Sequence, residues 1–205
     1  KLDDLAETVE AQLFAKQGLM TCYFELAEYD KAIEQAQLVL NSGRVDETLI
    51  LDLNTFVARA AFLDLDRDLA AEKYLLVESA SQGDLKAEAM YHLAWLAFYE
   101  GEYERSKQMI FEQSRLLPLY KKWLGKSFIL LAKNYREEED VFQATHTLEQ
   151  LILNMDDEEV LKEARSLKAE ILTKENTLQE MSLGLDPLTI TDSLPASDSL
   201  RITEE

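Results

Sequence analysis

Apolar positions recur along this chain at intervals of three and four residues, the spacing of one face of an α-helix. Leu5, Val9 and Leu13 begin such a stripe, Leu19, Tyr23 and Leu26 continue it, and Leu93, Leu96 and Tyr99 repeat it later. Small polar breaks interrupt the stripes at Asn41-Ser42-Gly43, Gln82-Gly83-Asp84, Gly101-Glu102, Leu117-Pro118 and Asn154-Met155-Asp156. Between them lie segments of about 12–18 residues, an ordinary helix length. Asp156, followed by Asp157, Glu158 and Glu159, predicts a helix start. An oxygen-bearing cap with acids in the first turn complements the free N–H groups and the helix dipole.

Four segments share a further pattern: a helix, an aromatic or apolar turn, and a second helix opening on a small residue. Glu28-Tyr29-Asp30-Lys31-Ala32 and Gly101-Glu102-Tyr103-Glu104-Arg105-Ser106 are near copies. Asp66-Arg67-Asp68-Leu69-Ala70 and Glu139-Asp140-Val141-Phe142-Gln143-Ala144 are weaker ones. Ala32, Ala70, Ser106 and Ala144 stand 38, 36 and 38 residues apart. A period of this size implies helix–turn–helix units that must stack to bury their apolar faces.

These segments resemble the tetratricopeptide repeat (TPR) family over roughly residues 10 to 153. The third unit carries the fullest match, with Leu93, Ala94, Gly101, Tyr103, Ser106, Ile110 and Pro118. The fourth matches at Leu131, Ala132, Tyr135, Ala144 and Leu148, with Glu139 in place of the turn glycine. The first keeps Leu19, Tyr23, Tyr29, Ala32 and Ala36, with Met20 at a small-residue site, and the second retains Ala58, Ala70 and Tyr74. All the intervals exceed the family's usual period of about 34. The resemblance implies an all-α fold, a right-handed superhelix of about four TPR-like repeats. The string Trp123-Leu124-Gly125-Lys126-Ser127-Phe128-Ile129-Leu130-Leu131-Ala132, with Phe142-Gln143-Ala144 and Leu148-Glu149, resembles the last repeats of large Bacteroidetes repeat proteins. That resemblance implies a C-terminal piece of a longer protein and favours the periplasm or cell envelope over the cytoplasm. The start at Lys1, without Met, reads the same way, as a processed product or an excised fragment.

After the fourth unit, Val160 to Leu172 predicts a capping helix, with Leu161, Ala164, Leu167 and Ile171 inward and Lys162, Glu163, Arg165 and Glu170 outward. From Asn176 the composition turns to Ser, Thr and Asp with Pro187 and Pro195, which excludes a continuous helix to the end. The expected organisation is a repeat domain with its cap over 1–175 and an acidic, leucine-containing tail over 176–205.

Composition narrows the function classes. Lys and Arg number 21 against 40 Asp and Glu, for a net charge of -19, and the pI is near 4.5. That surface opposes binding to nucleic acid or to anionic membranes. No apolar run reaches the roughly 20 residues that span a bilayer, which argues against direct membrane insertion. The single Cys22 excludes an internal disulfide and a multi-cysteine zinc site, and its apolar neighbours predict a buried, inert thiol. Glu88 and His92 stand at the i, i+4 spacing of metal ligands but lack a second histidine, so a surface or groove histidine is the expectation. Asp64-Leu65-Asp66-Arg67-Asp68 imitates a calcium loop, but Leu69 and Leu75 stand where the glycine and the bidentate glutamate belong, which leaves an acidic turn. With no nucleophile–base constellation, phosphate loop or metal set, the chain is expected to be non-enzymatic and without cofactor.

The resemblance places the first helix of each unit along a concave groove. The third unit then presents Glu88, Tyr91, Trp95 and Phe98 or Tyr99, and the fourth presents Lys122, Lys126, Ile129, Lys133 and Arg136. The second contributes Thr55, Arg59 and Phe62. The candidate partner-binding residues are Arg59, Tyr91, Trp95, Phe98, Lys122, Lys126, Lys133 and Arg136. Aromatic and basic groups side by side suit a peptide or partner protein carrying acidic and apolar groups. The asparagines that a terminal-carboxylate clamp needs are missing. Charge is also distributed unevenly: Arg115, Lys121, Lys122, Lys126, Lys133 and Arg136 occupy a stretch with no acid. The acidic tail is a candidate pseudo-ligand for that row, with packing on the outer face as its alternative. The expected function is an interaction scaffold; the alternative is an assembly module of a larger envelope protein.

Overall fold

The computed structural model describes residues 9–43 and 45–182. Among these are nine α-helices and no strand: α1 (Val9–Glu25), α2 (Tyr29–Leu40), α3 (Glu47–Leu63), α4 (Arg67–Ala80), α5 (Gly83–Tyr99), α6 (Tyr103–Leu116), α7 (Lys121–Glu137), α8 (Val141–Asn154) and α9 (Glu158–Ser182). The first eight form four helix pairs, and each pair packs on the next in chain order. The architecture is the all-α repeat solenoid that the period implies.

The period is written in the turns inside each pair. Ala27, Leu65, Gly101 and Glu139 all adopt left-handed backbone, with φ of 57°, 64°, 79° and 62°. They stand 38, 36 and 38 residues apart, in step with the small residues that follow them. Each donates its N–H three residues back, and the next residue donates five back, as in Glu102 to Ala97 and Asp140 to Tyr135, both at 2.9 Å. This paired closure satisfies the last carbonyls of one helix and aims the chain into the next. Glycine does this without strain only at Gly101; elsewhere the left-handed residue carries a side chain. Asp66 and Asp140 then cap α4 and α8 by accepting the N–H groups of Leu69 and Gln143. The acidic Asp64–Asp68 run is thus the α3–α4 turn.

Small residues let the helices approach. Ala32, Ala36, Ala58, Ala61, Ala70, Ala94 and Ala144 are all fully buried, and larger side chains such as Leu53, Val57, Tyr74, Ile110 and Leu148 fill the space between helices. At Gly125 a Cβ would lie 2.8 Å from Val160 and 3.0 Å from Met155, so glycine permits α7 to meet the start of α9. Between α6 and α7 the seam is polar yet buried. Gln113 donates to the Ala87 carbonyl and accepts from Ser127 at 2.5 Å, while Asn134 donates to Ser106 and to the Leu130 carbonyl. Buried polar pairs fix register, because a slip leaves their groups unpaired.

In the C-terminal half the odd helices touch one another, α5 on α7 and α7 on α9, whereas the even helices make their main contacts with odd ones. The stack therefore bends with the odd row inside. The capping helix is longer than the predicted Val160–Leu172: α9 runs to Ser182, across the expected 175/176 boundary. Thr173 and Thr177 bond back to carbonyls four residues earlier, so their hydroxyls fit within the helix, and Pro187 lies beyond it. Val160, Leu161, Ala164, Leu167 and Ile171 are buried against the preceding pair, and the opposite side is polar and exposed. The rest of the acidic tail, 183–205, lies outside the described residues. One expectation reverses: Cys22 is exposed on α1, whereas Ala60, Leu96 and Asn134, which hold the same register in α3, α5 and α7, are buried.

The turn geometry makes a prediction. Replacing Glu139 by Gly relieves a left-handed side-chain residue and should stabilise the fold by up to about 1 kcal/mol, while Gly101→Ala should cost about 1 kcal/mol. Urea midpoints of the two variants, shifted in opposite directions, check it.

Candidate functional site

The inner side of α5 and α7, with neighbouring residues of α3 and α4, gathers Phe62, Tyr74, Tyr91, His92, Trp95, Tyr99 and Trp123 into one continuous seam. Tyr99, at the end of α5, lies under the Arg67 guanidinium at 3.7 Å and stacks on Trp95 at 5.4 Å. Trp95 meets Phe62 of α3 edge-on at 4.8 Å, and Phe62 meets His92 at 4.7 Å. His92 stacks flat on Tyr74 of α4, with centroids 4.6 Å apart. On its other side His92 and Tyr91 both face Trp123 of α7 at 5.7 Å. Each such pair adds roughly 0.5–1.5 kcal/mol beyond the area it buries, so the seam ties α3, α4, α5 and α7 together.

The ordering of α5 residues explains the seam. Glu88, Tyr91, His92, Trp95 and Tyr99 follow at three and four residues and share one helix face. Glu88 is buried, and its carboxylate receives both Nε and Nη2 of Arg59 at 2.6 Å. This two-pronged pair joins α3 to α5, and removal of Arg59 would strand a buried charge. His92 is not a surface histidine. Burial drives its pKa down to about 4, against the smaller opposing effects of the Glu88 carbonyl, which lies 2.9 Å from Nδ1, and the Glu88 carboxylate; Lys126 and Arg59 add to the depression. Glu88 and His92 are therefore spent on Arg59 and on the aromatic stack. Burial likewise pushes the Tyr91 hydroxyl up to about 12, with the Glu163 charge adding to the shift.

The basic row divides into two halves. Toward the end of α7, Lys133 reaches Glu163 at 3.0 Å and Arg136 reaches Glu170 at 3.1 Å and Glu137 at 2.9 Å. At its beginning Lys121 pairs loosely with Asp156 at 3.4 Å. Lys122 and Lys126 differ: each lies beside Trp123, with ammonium-to-centroid distances of 5.7 Å and 5.3 Å, and neither meets a carboxylate among the described residues. A cation so placed is held by the ring yet stays open to an incoming anion.

The eight candidate residues thus part company. Tyr91, Lys122 and Lys126 converge around Trp123, with Trp95 one turn further along the same seam. Arg59 borders a cavity of about 380 Å³ with Met20, Leu53, Phe56 and Leu85, but its charge is committed to Glu88. Phe98 turns away from the groove, toward Tyr103 at 5.7 Å and the buried Ile110, Leu130 and Leu131. Ile129 and Thr55, expected in the groove, are buried: Ile129 packs against α8 and α9, and Thr55 bonds the Leu51 carbonyl. Trp123 and His92 were not among the candidates. Their signal was present, because Trp123 stands between two lysines and His92 on the Glu88–Trp95 face.

The displaced His92 pKa predicts a pH dependence. In the unfolded chain His92 has its ordinary value of 6.5, and in the fold about 4. Its contribution to stability is therefore intact above pH 6.5 and is lost as pH falls toward 4, because only the unfolded state takes up the proton. His92→Phe keeps a ring on Tyr74 and removes the proton site. Relative to this variant, the native protein should lose up to about 1.4 kcal/mol for each pH unit below 6.5. Urea unfolding of both between pH 7 and 4.5 measures the difference, and parallel profiles would show a solvated imidazole.

No family model and no curated protein matches the chain by sequence. Solved structures do match by shape. A Podosopora anserina protein of kinesin light chain type, with nearly identical TPR-like repeats, superposes with a TM-score of 0.59 at 15% identity, over 84% of this chain and 97% of that one. The structure of MamA superposes with a TM-score of 0.56 at 14% identity, over 90% of this chain and 97% of that one. Resemblance in shape at such low identity establishes the fold, and the chain has the fold of the TPR-like repeat proteins.

Proposed function

We propose that the chain is a non-enzymatic interaction scaffold that receives a protein or peptide partner on the inner face of α5 and α7. The observation that carries this reading is the pair Lys122 and Lys126, flanking Trp123 beside Tyr91 with no carboxylate partner among the described residues, in a chain with 40 acids. Such a patch suits a partner segment with an acidic group next to an aromatic or aliphatic one. The ring supplies apolar contact, and the ammonium groups supply orientation and a faster encounter. Lys133 and Arg136 act differently, since Glu163 and Glu170 of α9 already serve as their anionic partners within the chain. The need for the acidic tail as a pseudo-ligand on this face is correspondingly reduced. The titratable groups of the seam support a binding role over a catalytic one: Glu88 is consumed by Arg59, and His92 stays neutral through burial.

The alternative, an assembly module, is favoured by one feature. Phe14 on α1 is 78% exposed and stands in the register that Glu88 holds in α5, where the preceding unit packs. The outer face of α9 is polar by contrast, so the two ends of the stack are unlike. Affinity capture from source cells separates the readings. The double reversal Lys122→Glu with Lys126→Glu should lower partner recovery by about tenfold or more at unchanged helicity, and Phe14→Glu should leave it intact. Recovery insensitive to the double reversal, together with a drop in solution mass for Phe14→Glu, would instead establish assembly.

A further inference from the structure

On the side of α7 opposite Lys122 and Lys126, a cavity of about 530 Å³ opens between α6 and α8. Its floor is Leu124, Phe128 and Leu131, spaced at three and four residues along α7, with Phe111 on one wall and Leu151 and Met155 on the other. Apolar exposure gathers near it: Phe111 is 49% exposed, Phe142 71% and Leu119 86%. No Asp or Glu lines the cavity, although the chain holds 40 of them, and the charged or titratable groups present are Tyr135, His146 and Lys121, the last paired with Asp156 beside the cavity. Neither the helix packing nor the inner-face site uses it.

We propose that this outer cavity is the docking site of the chain's own residues 183–205. That segment lies outside the described residues and follows α9 directly. Its 23 residues contain Leu183, Leu185, Leu188, Ile190, Leu194, Leu200 and Ile202, no aromatic residue, and five acids against the single Arg201. Aliphatic side chains match a cavity of apolar floor, and no carboxylate in its lining repels their acidic flanks. The inner face keeps Lys122 and Lys126 for an acidic group, whereas the outer cavity offers the apolar hollow of Leu124, Phe128 and Leu131 that seven aliphatic side chains fit.

The lengths agree. The cavity runs along α8 from Gln143 to Met155, just before α9, and α9 carries the chain away from the Met155 end over 25 residues, at most about 37 Å at 1.5 Å per residue. A return at about 3.3 Å per residue takes roughly 11 residues, which brings the part from Leu194 to Ile202 to the cavity. Tethering supplies an effective concentration on the order of millimolar, so even a weak intrinsic affinity keeps the site filled.

The test is photocrosslinking in the full chain with p-benzoylphenylalanine in place of Leu200, followed by peptide mapping. Docking predicts adducts within one chain to Met155 or other residues of α7 and α8 lining the cavity. The exposed pair His146→Glu and Gln150→Glu should reduce them by about fivefold or more while helicity is unchanged. Adducts to Tyr91 or Trp123, adducts between two chains, or no site-specific adducts would each overturn the proposal. The first result would place the tail on the inner face, and the second would make a second copy of the chain the occupant.

Discussion

Each helix pair in this chain has an apolar flank that only the next pair can cover. A single pair of 12 to 17-residue helices leaves residues such as Leu53, Val57 and Val77 half wet, whereas stacking removes them from water entirely. Everything else is subordinate to keeping successive pairs in step. The left-handed turn residues repeat in the same register as the small residues that follow them, so every second helix returns at the same angle. Ala27, Leu65 and Glu139 hold that geometry without glycine, which shows how strongly packing of the pair overrides local preference. The last described helix, α9, buries one side against the preceding pair and turns a polar one outward.

The inner face follows from the same constraint. Because α5 and α7 come close and Phe62 reaches in from α3, flat rings fill the space between them: Trp95 touches Phe62, Phe62 touches His92, and His92 touches Trp123. The ring stack in turn decides which charges remain usable. Glu88 sinks beneath it and claims Arg59, while α9 reaches back over the far half of α7 and claims Lys133 and Arg136. What is left is the near half of α7, where Trp123 holds two ammonium groups that meet no carboxylate among the described residues. In the proposed reading, this patch is the surface that meets an anionic, partly apolar partner.

The repeat architecture was legible in the sequence because it rests on periodic features: apolar spacing, small residues and turn residues all report the same register. The division of the basic row was not. Lys122, Lys126, Lys133 and Arg136 look equivalent along α7, and what separates them is the position of α9, which depends on Gly125 allowing close approach to Val160. Phe98 was misplaced for a related reason: adjacent aromatic residues on one helix divide between the inner seam and the α6–α7 core, a choice set by neighbouring helices. Cys22 illustrates the end effect, since a position that would be covered inside a stack is uncovered at its first helix.

The central claim is that partner binding occurs on the inner face of α5 and α7, around Trp123. Hydrogen exchange on the protein alone and on the protein loaded with its captured partner tests this most directly. The account predicts added protection confined to residues 88–99 and 121–128, with the outer surfaces of α6 and α8 unchanged. Protection limited to those outer surfaces, with the α5–α7 face exchanging as in the free protein, would contradict it.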